Sequence, residues 1–212
     1  MVTRRRGLLY HFTHIKNLAS IAADGLFSDA QIDTSRRTPT EVGHADVKRR
    51  RRNLAVPLAP GGCVADYVPF YFAARSPMLF IISKGDVPTY SGGQDEIVYL
   101  VTSTEKIVEE RLHFVFTDRN AALHIADYGN DLQDLDDYVD WDLMEGRMWK
   151  NTDEEPDRQE RRMAEFLVHG HVPWSAFIGV AACNDDKCQQ VEHALASVGA
   201  KVLVTPRPEW YF

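Results

Sequence analysis

The alternation of apolar and polar positions divides the chain into short elements. Leu8–Phe12 predicts a strand leading straight into Thr13. Ile15, Leu18, Ile21 and Ala22 then fall on one helical face, and Gly25 is placed to end that helix. Residues 28–45 lack an apolar period and read as loop, and Asp46–Asn53 predicts one or two turns of very basic helix. The Pro- and Gly-rich stretch 56–62 reads as a rigid connection. Val68–Ala74 alternates as a strand does, and Arg75-Ser76-Pro77 turns the chain. Further strands are predicted over Met78–Ser83, Glu96–Thr102 and His113–Phe116, with helices over Ser103–Arg111 and Asp118–Ala126. Residues 127–160 are weakly patterned and read as loop with short helices. Strands at Glu165–Val168 and Ile178–Ala182, a helix at Asp186–Val198 and a strand at Lys201–Thr205 complete the series. Strands outnumber helices without regular alternation, so the expected class is α+β, a mixed sheet flanked by helices. No repeat or linker divides the chain, and 1–212 is expected to be one domain.

Charge changes that picture. The net charge is -7, which at first argues against a nucleic-acid partner. Residues 1–62, however, hold 11 Lys+Arg against 5 Asp+Glu, a balance of +6, and the remainder carries -13. Such separation implies surfaces with different jobs, so net charge does not exclude an anionic ligand. The three cysteines, Cys63, Cys183 and Cys188, have no paired spacing and suggest a reducing cytosol. Arg4–Arg6 before Gly-Leu-Leu-Tyr mimics the start of an export signal, but the apolar stretch ends at His11. No apolar run approaches the roughly 20 residues that span a bilayer. A soluble, cytoplasmic protein without membrane contact is expected.

Glycine-rich phosphate loops, G-x-S-x-G and H-E-x-x-H are all absent. His169 and His171, two apart on a predicted strand, would face one side. With no acidic or Cys partner at ligand spacing, a structural role outweighs a metal site. His11 and Thr13 would likewise share a face opposite Tyr10 and Phe12, a polar pair suited to a ribose or amide. Lys48–Arg52 is five consecutive cations, which a helix spreads over about 500° of arc. That suits a solvated face, or one member turned inward to a phosphate. Glu165 heads a short apolar strand, a costly place for a carboxylate unless it is paired, as with Arg161, or catalytic.

Five segments in order carry more than any of these alone. Tyr10–Leu18, the basic run Val47–Asn53, Asp66–Met78, Phe116–Asn120 and Ala164–Val168 together closely resemble the DarT family of DNA ADP-ribosyltransferases, toxins of bacterial toxin–antitoxin pairs. The resemblance implies a split, mixed β-sheet of the ADP-ribosyltransferase type, with NAD as co-substrate and no metal. It implies that His11, Thr13, Asn17, Arg51 and Tyr71 hold NAD. Glu165 and Arg51 are the matched catalytic pair, with Arg52 the neighbouring alternative for the arginine. Where the family shows a Tyr-x-x-Val-Lys tyrosine, this chain has His44. Single-stranded DNA is the implied acceptor, at thymidine, contacted by Lys48, Arg52, Arg75 and Arg119 and by Met78, Arg147 and Trp149. The loop over 144–160 would read the acceptor. A DarG-like macrodomain antitoxin is the implied partner. The alternatives are the same chemistry on guanine, RNA or protein, or a nucleic-acid-binding module without catalysis.

Overall fold

The structure is a computed structural model that describes residues 7–35 and 37–212. The stretch Arg4–Arg6 lies outside them. Strand β1 is Leu8–His14, longer than its sequence pattern suggested. Helix α1 (Leu18–Asp24) follows, and Gly25 ends it with φ 89°, a left-handed conformation that glycine adopts without strain. Strand β2 (Leu26–Phe27) leads into α2 (Asp29–Thr34), where a loop was expected. The Ser28 hydroxyl caps that helix by accepting from the Gln31 amide at 3.4 Å, and none of its residues is fully buried, which is why no apolar period marked it. Helix α3 (Ala45–Asn53) carries the basic run.

After β3 (Tyr67–Tyr71) comes the clearest departure from the pattern. Pro77–Lys84 is helix α4 and not a strand. Ser76 caps it through the Leu79 amide at 3.2 Å, Pro77 sits in the first turn, and Gly85 closes it at φ 73°. Short apolar runs fit buried strand and buried helix alike, and here the capping residues decide. Next come β4 (Ile97–Ser103), α5 (Thr104–Glu109) and β5 (Phe114–Thr117). The helix expected over Asp118–Ala126 is absent. Asn120 Oδ1 takes the Ala122 amide at 2.8 Å and Asp118 Oδ1 takes the Asp127 amide at 3.0 Å, so side chains replace helical partners. Strand β6 (Tyr128–Gly129) and three short helices follow: α6 (Leu135–Tyr138), α7 (Trp141–Glu145) and α8 (Arg158–Arg161). The chain ends with β7 (Glu165–His169), β8 (His171–Val172), β9 (Gly179–Ala182), α9 (Asp185–Ala196) and β10 (Leu203–Pro206).

Eight strands join in the order β10-β9-β4-β1-β3-β7-β5-β6, and β2 pairs with β8 separately. Only β10 and β9 run parallel, so the sheet is mixed, as expected for an α+β fold. One face carries a continuous core, in which α1, α5 and α9 cover Leu9, Phe70, Leu100 and Phe166. The other face is covered in two separate pieces. Leu79 and Ile82 of α4 pack on Tyr99 and Val101, while Val56 and Val64 pack on Tyr67 and Leu167.

Between those pieces the sheet opens. Strands β1 and β4 pair over seven residues, but β1 and β3 pair only at Tyr10 and Tyr71. Pro69 explains the break. Its carbonyl points toward β1, because it accepts from His11 Nδ1 at 2.8 Å. In an extended strand a residue's carbonyl and N–H point the same way, and Pro69 has no N–H to continue the ladder there.

Candidate active site

The opening leads into a cavity of about 810 Å3, a size typical of small-molecule and cofactor sites (roughly 300–1,000 Å3). His11, Phe12 and Thr13 from β1, Tyr71 from β3 and Glu165 from β7 reach it. Arg51 enters from α3, and Met78 from α4. Residues 37–44 form a further wall, followed by Asn151, Gln159 of α8 and Met163 from the segment before β7.

Arg51 and Glu165 form a buried ion pair, 6% and 2% exposed. A single guanidinium nitrogen, Nη1, donates to both carboxylate oxygens at 3.0 and 2.9 Å. That end-on arrangement leaves Arg51 Nη2 buried without a partner. A buried donor without an acceptor costs about 1–3 kcal/mol, and this one belongs to a residue that lines the cavity. Glu165 is fixed from behind as well, since its amide donates to Thr117 Oγ1 at 3.1 Å. The expected partner, Arg161, is instead bonded to Asp140, Glu155 and Asp157, so spacing in sequence misassigned it. Of the five cations, Arg51 alone is buried; Arg50 is exposed but also lines the cavity. Lys48 pairs with Asp29 at 2.9 Å and with Glu41 while still lining the cavity. Arg49 pairs with Asp46, and Arg52 is exposed and pairs with Asp33 at 2.6 Å.

His11 and Tyr71 have defined protonation states. Burial holds the His11 imidazole below its usual value, so it is neutral. Donation from Nδ1 to Pro69 then leaves Nε2 as a bare acceptor. Burial, followed by the neighbouring Glu165 charge, raises the Tyr71 phenol far above its ordinary value, which makes it a hydrogen-bond donor and not a base. The Phe12 and Tyr71 rings stack across the opening, centroids 6.1 Å apart and 13° from parallel. Phe12, expected in the opposite layer from His11, therefore belongs to the same cavity because the strands have parted there.

Asn17 lines the cavity with much of its amide already engaged. Its Nδ2 donates to Thr13 Oγ1 and to the Thr40 carbonyl, both at 3.0 Å, and Oδ1 accepts from the Thr40 amide at 2.8 Å. It ties the 37–44 wall to β1, and one oxygen lone pair remains. His44, at the expected tyrosine position, caps α3 by accepting from the Asp46 amide at 3.2 Å. The 37–44 wall has no apolar period, which is why pattern reading passed over it.

The remaining residues are dispersed. Arg119 is occupied by Asp118 at 2.8 Å, with Asp157 and Glu160 nearby, and lines neither this cavity nor the next. Arg75 and Arg147 stand at a second cavity, and Trp149 packs edge-on against Phe80 at 5.8 Å. His169 and His171 do not share a face: Gly170, at φ 73°, separates β7 from β8. His171 Nε2 donates to the Asp24 carbonyl at 2.9 Å and His169 packs on Tyr67 at 5.0 Å. Among the described residues no group of three His, Cys, Asp or Glu could hold a metal ion, and no helix is long and apolar enough to cross a membrane.

The profile of the family described as ssDNA thymidine ADP-ribosyltransferase, DarT, matches residues 10–212. A DNA ADP-ribosyl transferase of Mycobacterium tuberculosis is 37% identical over 210 residues, covering 97% of this chain and 89% of the relative. The structure of Thermus sp. 2.9 DarT in complex with ADP-ribosylated ssDNA superposes with a TM-score of 0.88 at 34% identity, covering 97% of this chain and 96% of that one. The same Thermus protein in complex with NAD+ gives 0.85 at 33% identity, covering 98% of each chain. With its fold and nearly its whole length matched, this chain belongs to the DarT family of DNA ADP-ribosyltransferases.

Proposed function

We propose that this chain, as a single catalytic domain over residues 1–212, transfers ADP-ribose from NAD to a thymine base of single-stranded DNA. The observation that carries the site assignment is the buried Arg51–Glu165 pair on the cavity wall, with one guanidinium nitrogen unpaired. The nicotinamide–ribose end of NAD lies at His11, Thr13 and Tyr71. His11 Nε2 accepts from it, and the Thr13 and Tyr71 hydroxyls donate to it. Asn17 acts chiefly by holding the 37–44 wall in place.

The reaction breaks the bond between the nicotinamide nitrogen and ribose C1′, and nicotinamide leaves neutral. Positive charge develops at C1′, where a carboxylate held in a water-poor wall stabilises it more than bulk solvent does. Glu165 fills that role, already paired so that its burial is tolerated. A thymine ring nitrogen forms the new bond to C1′ and loses its proton to solvent. Arg51 orients the base and stabilises the negative charge developing on it, using the free Nη2. The pyrophosphate is carried across whole, so the step is a glycosyl transfer and not a nucleotidyl transfer.

A base inside a duplex cannot reach this cavity, which favours single-stranded DNA. The loop over 144–160 reads the acceptor, with Arg147 and Trp149. Lys48, Arg75 and Met78 lie on the same approach, whereas Arg52 and Arg119, each held by carboxylates, contribute at most long-range charge. The chain acts in the cytoplasm as the toxin of a pair whose antitoxin is a macrodomain that removes the mark. Incubation with labelled NAD and separate homopolymers of dT, dC, dA and dG tests the acceptor. Label in the dT strand alone is expected, and label in dG, in RNA or in protein instead would overturn thymine as the target.

A further inference from the structure

Arg162 stands three residues before Glu165 and is 3% exposed. A guanidinium so deep is tolerated only where its N–H groups find acceptors. Nε and Nη2 donate to the Arg75 carbonyl at 3.2 and 3.0 Å. Nη1 donates to the Met144 and Gly146 carbonyls at 2.9 Å each, and to that of Leu143. Burial, then the neighbouring Arg75, push its pKa down to about 10, so the group stays charged at neutral pH. It does not line the larger cavity.

Those bonds join three segments. Leu143 and Met144 belong to the last turn of α7 and Gly146 follows it, where a helix leaves carbonyls without helical partners. Arg75 belongs to the turn between β3 and α4, and two residues later Pro77 lines the larger cavity. Arg162 itself ends α8, its amide donating to the Arg158 carbonyl at 2.9 Å, and Met163 and Ala164 lead from it into β7. Residues 147–161 run from Gly146 out and back to Arg162, a compact loop whose two ends are close. Inside it Arg158 Nη2 donates to the Met148 carbonyl at 3.0 Å and the Gln159 amide donates to Asn151 Oδ1 at 2.8 Å. Asn151, Gln159 and Glu160 of that loop line the larger cavity. The adjacent Arg161 reaches carboxylates on a partly exposed face instead, so the two neighbouring arginines are not equivalent.

We infer that Arg162 is a positioning residue for the transfer reaction: its forked side chain clasps the β3–α4 turn to the end of α7, and so sets the 147–161 loop against Glu165. The inference rests on the reaction proposed above. A planar fork suits this task because its N–H groups diverge in fixed directions, toward Arg75 on one side and the α7 end on the other. Lysine offers one point of charge and cannot serve both sides with the same geometry.

The test compares wild type with Arg162→Lys and Arg162→Gln in steady-state transfer to a thymine-containing oligonucleotide, with tryptic cleavage after the exposed Arg147 and Lys150 as a second readout. Misplacement of the loop by about 1 Å should lower kcat by about 100-fold. The oligonucleotide KM should rise, while the NAD KM and thermal stabilisation by NAD stay as in wild type. Cleavage of the loop should be faster in both variants. Wild-type kcat and KM values in either variant overturn the inference. So does a fall in kcat with both KM values and the cleavage rate unchanged, which would make Arg162 a residue of general stability only. A variant that gains no thermal stabilisation from NAD also overturns it, because the clasp would then be needed for the NAD site as well. Wild type that binds NAD but never modifies the oligonucleotide defeats the proposed reaction. The clasp is then decided by cleavage alone, faster in the variants if it stands and equal if it does not.

Discussion

At the residue scale, the Arg51–Glu165 pair carries the account. Removing one partner of a buried ion pair strands the other, at a cost of about 3–5 kcal/mol. Glu165→Gln should therefore lower stability by about 3 kcal/mol and cut the transfer rate by at least about 100-fold, read by denaturant unfolding and single-turnover kinetics. The double variant Arg51→Met/Glu165→Leu should be less destabilised than the two single losses summed, whereas additive losses would mean that the pair is not coupled. His11 gives a pH dependence. Its folded pKa lies below the unfolded value of about 6.5, so the unfolded chain binds the extra proton first. Stability should fall as pH drops below about 6.5 and continue falling until the folded-state value is passed. His11→Asn keeps a donor for Pro69 and should flatten part of that loss, leaving the contribution of His14, which burial also lowers. Glu165 was legible as a carboxylate in a costly place, but its partner was not. An arginine 114 residues away in sequence is brought to it by α3, and no local spacing reports that.

At the element scale, the site depends on how two segments end. Ser76 is 1% exposed and starts α4, which carries Met78 to the cavity wall. Ser76→Ala should cost about 1 kcal/mol by loss of the cap, together with weaker NAD binding, measured by thermal unfolding with and without NAD. The sequence placed a turn at Arg75-Ser76-Pro77 and then read Met78–Ser83 as a strand; the cap and Pro77 contained the correction, but the apolar run masked it. Pro69 acts on the sheet. Pro69→Val restores an N–H aimed at β1 and should extend the pairing past Tyr10. The expected result is a loss of NAD-induced stabilisation with unfolding stability kept or raised. Undiminished NAD binding would show that the opening does not depend on the missing donor. Pro69 stood in plain view in the alternating segment, yet which edge of its strand it faced required the register.

At the scale of the whole molecule, the opposing charges of the two halves find a physical arrangement. The basic N-terminal region supplies one buried arginine, while three more of its cations are paired: Lys48 with Asp29 and Glu41, Arg49 with Asp46 and Arg52 with Asp33. In the acidic stretch before β7, Asp140, Glu155, Asp157 and Glu160 pair with Arg158, Arg161 and Arg119. With Lys48, Arg52, Arg119 and Arg161 each held by carboxylates, few of the cations near the cavity are left for phosphates, so DNA binding should be weak, with a shallow salt slope of about one to three. The mixed sheet was legible from strand count and order. Its opening was not, because it arises from a missing donor and from two core pieces that fail to meet, features of packing and not of pattern. The central claim is that one reaction joins these parts: transfer of ADP-ribose from NAD to thymine. Mass spectrometry of a mixed-sequence single-stranded oligonucleotide after incubation with the protein and NAD tests it most directly. The account predicts one added ADP-ribosyl mass on a thymine ring nitrogen, equimolar nicotinamide, and no adduct with Glu165→Gln. An unmodified oligonucleotide, or an adduct on any other base, would contradict it.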